Sequence, residues 1–307
     1  MLSKACALLL LGGAQVYAQQ PLRLISFNIR YDNTDLSFGD LELGWLGLPC
    51  AGDQTLCRAP GVIDTLANQT DEVSSVAVVG LQEVLGHQLN DIMGALGADW
   101  ASIGVGRDDG KGGGEFNPII YRRDVFEAEH SETKWLSLTP DTPSKDWGSS
   151  SNRLVEIAVF RHVATGRRFI HANTHLDHQS GEARTNQIGV AVDMIKAVDA
   201  RFGPNLPVTM TGDFNAGDRD PAYTALVNER YVDDLYTMFG FDPSRRTGQP
   251  ATFTGFADEF SSRIDYVWIG PQGSNAFSVN AYKTVDNVVN GVKVSDHRAV
   301  VGDITFN

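Results

Sequence analysis

Residues 208–218 read VTMTGDFNAGD, an apolar run that stops abruptly in Gly212, Asp213, Phe214 and Asn215. The run 207–211 has the length and composition of a buried strand. Directly after it stand a carboxylate and a carboxamide two residues apart. On a strand such a pair shares one face, and just past its end both side chains turn towards one cleft while Phe214 points the other way into the core. An Asp in a Gly-Asp turn is by itself a common local turn former. Its meaning depends on whether other strands end in the same manner.

They do. The pattern predicts strands over 22–28, 76–84, 118–122, 153–161, 168–174, 207–211, 263–269, 277–284 and 299–306. Helices are expected over 61–73, 88–96, 182–201 and 221–228, the last with Pro221 in its first turn. ISFN ends at Asn28, LQEV carries Glu83, NTHLD carries His175, RIDYV carries Asp265, and SDH supplies Asp296 and His297. If the strands converge, these groups line one cleft. The mixed order of strand pairs and helices predicts two sheets packed face to face with helices outside, in one domain over 19–307.

Other segments read as loops. Residues 31–59 are rich in Gly, Pro and Asp, and 106–116 read GRDDGKGGGEF. The glycines of the second stretch lack the Lys-Ser/Thr ending and following helix of a phosphate loop, which makes a mobile loop the expectation. His87, His130, His162 and His171 have no motif around them and are expected to be structural.

The first 18 residues have one cation, Lys4, a short apolar stretch and a small-residue exit at Val16-Tyr17-Ala18. That is the anatomy of a secretory signal peptide cleaved after Ala18, and the apolar run is too short to span a bilayer. Export would leave Cys50 and Cys57 as the remaining thiols, expected to pair as one disulfide. Asn68-Gln69-Thr70 is a glycosylation sequon. The 307-residue chain carries a formal charge of −13. Such an acidic balance argues against tight binding of long nucleic acids, although it leaves room for a cationic cleft. No span for a membrane is found, and a monomer is expected.

Hard carboxylate oxygens suit Mg²⁺ or Mn²⁺, carboxamides donate to phosphate oxygens without adding charge, and a His backed by an Asp moves protons or stabilises a charged transition state. FNIR, LQEV, THLD, GDFN, RIDYV and SDH, in that order over about residues 22–306, resemble the motifs of the endonuclease/exonuclease/phosphatase superfamily. The resemblance implies an α/β fold, a four-layer α/β/β/α sandwich, and a phosphate-ester substrate. It implies Glu83 as the principal Mg²⁺ ligand, Asn28 as a ligand-orienting or phosphate-binding group, and Asp296 as a second acidic ligand. Asp213 would orient or deprotonate the attacking water, Asn215 would bond the scissile phosphate, and Asp265 would orient a phosphate-contacting His297. His175 resembles a second phosphate-facing histidine, paired with Glu115. Arg30 and Arg153 either clamp phosphate or pair with acids, and Asp265 has Arg263 as an alternative ion-pair partner.

The function expected is that of a secreted, metal-dependent phosphoesterase cleaving a phosphodiester or phosphomonoester by in-line attack of water. The alternatives are a non-specific extracellular nuclease and a non-catalytic binding protein that keeps the fold. No Gly-x-Ser-x-Gly elbow supports a serine hydrolase, and no His/Cys cluster has zinc spacing.

Overall fold

The computed structural model describes residues 20–36, 40–47, 50, 56–72, 76–238 and 242–307. The expected signal peptide and Val73, the predicted end of the first helix, lie outside the described residues. In chain order the elements are β1 (Gln20–Asn28), α1 (Arg58–Asp71), β2 (Ala77–Gln82), α2 (Gly86–Leu96), β3 (Trp100–Ile103), β4 (Ile119–Arg122), β5 (Phe126–Trp135), β6 (Leu154–His162) and β7 (Arg168–His175). They continue as α3 (Gly181–Phe202), β8 (Val208–Asp213), α4 (Pro221–Asn228), β9 (Asp233–Asp234), β10 (Arg246–Thr247), β11 (Asp265–Gly270), β12 (Phe277–Thr284), β13 (Val288–Val289), β14 (Val292–Lys293) and β15 (Val300–Phe306).

One sheet has the order β10-β12-β15-β1-β2-β4-β3 and the other β5-β6-β7-β8-β11-β9. They stack face to face, and the period-2 alternation of each strand sorts its residues between the layers. Leu22, Leu24, Val78, Phe160, Phe169, Val267 and Ile304 fill the space between the sheets. Their strand neighbours Ile25, Phe27, Val79 and Leu81 face outward onto Val62 and Leu66 of α1. On the other side Val155, Ile157, Ile170, Ala172 and Met210 pack on Ile188, Val192 and Ile195 of α3. The result is the expected four-layer α/β/β/α sandwich.

Towards one end the inter-sheet layer turns polar. Gln82 donates to Asn173 Oδ1 (2.8 Å), Thr211 donates to the same oxygen (3.0 Å), and Asn173 donates back to the Leu81 carbonyl (2.8 Å). The sheets approach here because Gly80 has no side chain: a Cβ on it would lie 2.1 Å from Thr211 Oγ1. Buried His171 bonds Thr209 (2.8 Å) and Thr211 (3.3 Å), the structural role expected of it.

The structure departs from the sequence expectations in several places. The strands β3 and β5 were not expected. β5, FEAEHSETKW, is an edge strand whose charged residues face solvent, which hides the apolar pattern, and β3 is only four residues long. Helix α1 starts at Arg58, three residues early, with Pro60 in its first turn. β8 continues through Asp213, two residues beyond the predicted end. The 106–116 stretch, expected to be a loop, is one, and it is closed on itself. Arg107 N bonds the Glu115 carbonyl (3.0 Å), Asp108 N bonds that of Gly113 (3.0 Å), and the Asp109 carboxylate takes the amides of Lys111 and Gly113 (2.8 Å each).

Cys50 and Cys57 form the expected disulfide, with Cα atoms 5.1 Å apart. Asn68 of the sequon is exposed on α1, whereas Thr70 is buried and bonds the Leu66 carbonyl. Among the described residues no helix is long and apolar enough to cross a membrane.

Candidate active site

The inter-sheet face places the strand-end groups. β7 runs parallel to β8 with His175 opposite Asp213, and β8 runs antiparallel to β11 with Asp213 opposite Asp265. Three adjacent strands therefore present His175, Asp213 and Asp265 in one row, on the face that carries Thr211 and Asn173 deeper in. The other sheet brings Asn28, paired with Gln82 across β1 and β2. Glu83 would point to the helix layer if β2 continued. Its left-handed backbone (φ 60°) breaks the alternation and turns the carboxylate into the cleft. Asn215 also adopts a left-handed conformation (φ 48°), while Phe214 between it and Asp213 is fully buried against Tyr266 and Trp268.

Asn28 joins the two sheets. Its Nδ2 donates to Glu83 Oε1 (3.0 Å) and Asp213 Oδ2 (2.9 Å), and its Oδ1 accepts from Arg30 N (2.9 Å). Asp213 Oδ1 accepts from Asn215 N at 2.8 Å. Asn215 Nδ2 donates to the Leu176 carbonyl (3.1 Å) and meets His175 Nε2 at 2.9 Å, so Nε2 is the acceptor and the neutral ring carries its proton on Nδ1. Asp265 Oδ2 lies 2.9 Å from His297 Nδ1, and His297 Nε2 lies 3.7 Å from Asp213 Oδ2. Asp265 is thus the histidine's partner. The alternative partner, Arg263, pairs with Asp234 at 2.9 Å.

The electrostatics follow from burial and company. Burial and the Asp265 charge push the Asp213 carboxyl up to about 7. Burial works against charging His297, but Asp265 and Asp213 outweigh it and raise this imidazole well above its ordinary value. His175 is driven the other way by burial and by Arg153 and Arg107, which keeps it neutral. Burial opposes ionisation of Glu83 too, yet Arg30 at 3.7 Å and the Asn28 amide hold it below the usual carboxylate range. Burial and Glu83 raise both Glu115 and Asp296.

These groups line a cleft of about 440 Å³ that includes Arg30, Glu83, Glu115, Arg153, His175, Asn215, Asp296 and His297. Every predicted site residue reaches this cleft or bonds a residue that lines it. Arg30 divides itself between Glu42 (3.1 Å) and Glu83. Glu115 stands 4.0 Å from His175 Nδ1, and its closest partner is Arg107 at 2.6 Å. Arg107 and His178 also line the cleft and were missed by the sequence reading. His178 follows THLD by one residue beyond Asp177, and Arg107 opens the glycine loop that Glu115 closes. A larger cleft of about 600 Å³, lined by Tyr236, Gln249, Phe260, Arg263 and Arg298, holds none of the strand-end groups. The two meet at Phe253, whose ring stacks on Phe260 (4.7 Å) and packs on His297 (4.8 Å).

The donor set fits a hard divalent ion. Ligand atoms of Glu83, His175 and Asp213 lie within 4.8 Å of one another, and so do those of Asp213, Asp265 and His297. Glu83 offers an ionised carboxylate at the cleft wall, with Asp296 and Asn28 beside it; oxygen donors of this kind suit Mg²⁺ or Mn²⁺.

The model of the Endonuclease/Exonuclease/phosphatase family matches residues 25–297. A family structure from Bacteroides vulgatus is 30% identical, superposes with a TM-score of 0.78, and covers 94% of this chain and 100% of its own. A mannosyl-6-phosphatase from Bacteroides thetaiotaomicron is also 30% identical, with a TM-score of 0.73 over 93% of this chain and 100% of its own. Nocturnin from Drosophila melanogaster is 29% identical over 113 residues, which cover 36% of this chain and 16% of that protein. The chain belongs to the endonuclease/exonuclease/phosphatase family.

Proposed function

We propose that this phosphoesterase is exported and uses a divalent ion, Mg²⁺ with Mn²⁺ as substitute, to hydrolyse a phosphate ester by in-line attack of water. The observation that carries the reading is the bridge Asn28–Asp213–His297–Asp265. It sets an acid poised near neutrality beside a histidine held protonated, in a cleft with a metal-type carboxylate at its wall. The disulfide and the N-terminal pattern support export.

Glu83 would hold the ion, with Asn28 and Asp296 completing its protein side. When bound, the ion supplies positive charge to the phosphate oxygens and to the leaving group. Asp213 orients the water and takes its proton. His297, fixed by Asp265 through Nδ1, directs its Nε2–H at a phosphate oxygen, and Asn215 turns the N–H that it gives to His175 Nε2 onto another, where charge grows in the transition state. His175, neutral with its proton on Nδ1 and Glu115 4.0 Å from that same atom, adds a donor without adding charge.

The test is turnover of p-nitrophenyl phosphate and bis-p-nitrophenyl phosphate with Mg²⁺ by wild type, Glu83→Ala and Asp213→Asn. EDTA and Glu83→Ala should each abolish activity. Asp213→Asn should lower kcat by on the order of 10²-fold or more. Undiminished turnover in EDTA, or a folded and fully active Asp213→Asn, would sink the proposal.

A further inference from the structure

The cleft's cations pair off with one remainder. Glu83 faces Arg30 at 3.7 Å, Glu115 faces Arg107 at 2.6 Å, and Asp265 faces His297 at 2.9 Å. Arg153 is left over. Its residue is 3% exposed, and its Nη2 meets His178 Nδ1 at 3.1 Å, but Nε and Nη1 make no hydrogen bond in the protein. The nearest acid is Asp177, 4.0 Å from Nε, and that oxygen already accepts from Ser149 Oγ, Ser150 N and Ser150 Oγ. A buried guanidinium with unmade bonds is costly unless an anion completes it.

The neighbouring wall is built to the same end. Arg107 Nε and His175 Nδ1 are likewise buried without hydrogen-bond partners. Arg107 is fixed from behind: Trp135 Nε1 donates to its carbonyl at 2.7 Å, and Asn152 Nδ2 does so at 3.3 Å. Burial and Arg107 also push the Arg153 guanidinium down from its ordinary value, so an incoming anion would relieve a repulsion already present.

We propose that this cleft selects the dianionic terminal phosphate of a monoester, with Arg153, flanked by Arg107 and His178, binding the third terminal oxygen that a diester lacks. The inference rests on the phosphoesterase reading above and adds the class of ester. A diester has two terminal oxygens and one negative charge. A monoester at neutral pH has three such oxygens and close to two charges. The Asn215, His175 and His297 donors serve two oxygens in either case, and the unpartnered fork of Arg153 supplies what only the monoester needs.

Inorganic phosphate and dimethyl phosphate, titrated calorimetrically into the full-length protein with Mg²⁺ at pH 8, test this. Phosphate should bind at least about tenfold more tightly, the scale of one charge-assisted bond. Arg153→Lys, which keeps the charge but loses the fork, should shrink that preference to about threefold or less. The ratio of kcat/KM for p-nitrophenyl phosphate over the bis-ester should fall in step. Equal binding of the two anions by the wild type overturns the proposal even if Arg153→Lys fails to fold. So does a preference that survives in a folded Arg153→Lys, and in both cases the phosphoesterase reading stands. Hydrolysis of neither ester with metal present overturns both.

Discussion

Asp213 and Glu156 are both buried carboxyls on the inter-sheet face, and burial pushes each up to about 7. What separates them is company. Asp213 has the His297 imidazolium at 3.7 Å and the Asn28 amide at 2.9 Å, so its charge has a use. Glu156, on β6, has the Thr133 hydroxyl at 2.6 Å and the Val105 amide at 3.1 Å, and forms no ion pair among the described residues. Its ionisation is therefore a net cost to the fold, burial outweighing these two bonds. Below the unfolded value of 4.5 both states hold the proton and Glu156 contributes no pH dependence. Between 4.5 and about 7 the unfolded chain ionises while the folded one does not, so stability falls as pH rises and levels off above about 7. The full loss is on the order of 3 kcal/mol. Glu156→Gln should remove it, so the gap between the two proteins' urea-unfolding free energies should widen from pH 4.5 to 8 in favour of the variant. Parallel curves would show that Glu156 titrates as an ordinary surface acid.

Among the elements, the long apolar strands were legible because burial on both faces leaves near-continuous Val, Ile and Leu runs, as in β2 and β6. The strand-end polar groups were legible because they interrupt those runs. Edge strand β5 was not, since solvent on one side lets Glu127, Glu129 and Lys134 occupy it. Arg107 and His178 were not, because each reaches the cleft from a loop whose path only the packed sheets define. The same packing makes Gly80 decisive on β2. A Cβ there would sit 2.1 Å from Thr211 Oγ1 and 2.5 Å from Asn173 Oδ1, so Gly80→Ala must push the sheets apart or break the Gln82–Asn173–Thr211 network. Overpacking of this kind, with buried bonds lost, should cost about 3 kcal/mol or more in unfolding free energy. A variant within about 0.5 kcal/mol of wild type would show that the layer yields freely.

For the whole molecule, the decisive fact is that neither sheet owns the site. Asn28 and Glu83 come from one sheet, and His175, Asp213, Asn215 and Asp265 from the other; His297 precedes β15 of the first. The carboxylates crowd together at the open end of the sandwich, in a chain of formal charge −13. An ion bound at Glu83, Asn28 and Asp296 would relieve the repulsion that raises Glu115 and Asp296, and would do so only in the folded state, where the ends of β1 and β2 meet the segment before β15. Binding to the native state alone stabilises it by mass action, about 2.7 kcal/mol at a hundredfold excess over Kd. For a domain of this size that is a rise in Tm of roughly 4–5 °C. Calorimetric scans in EDTA and in Mg²⁺, matched for ionic strength with NaCl, should show this rise for wild type and little of it for Glu83→Ala. General screening of an acidic surface would move both proteins alike. An equal shift in the two would place the ion's effect on that surface, away from the carboxylate that the left-handed turn after β2 aims into the cleft.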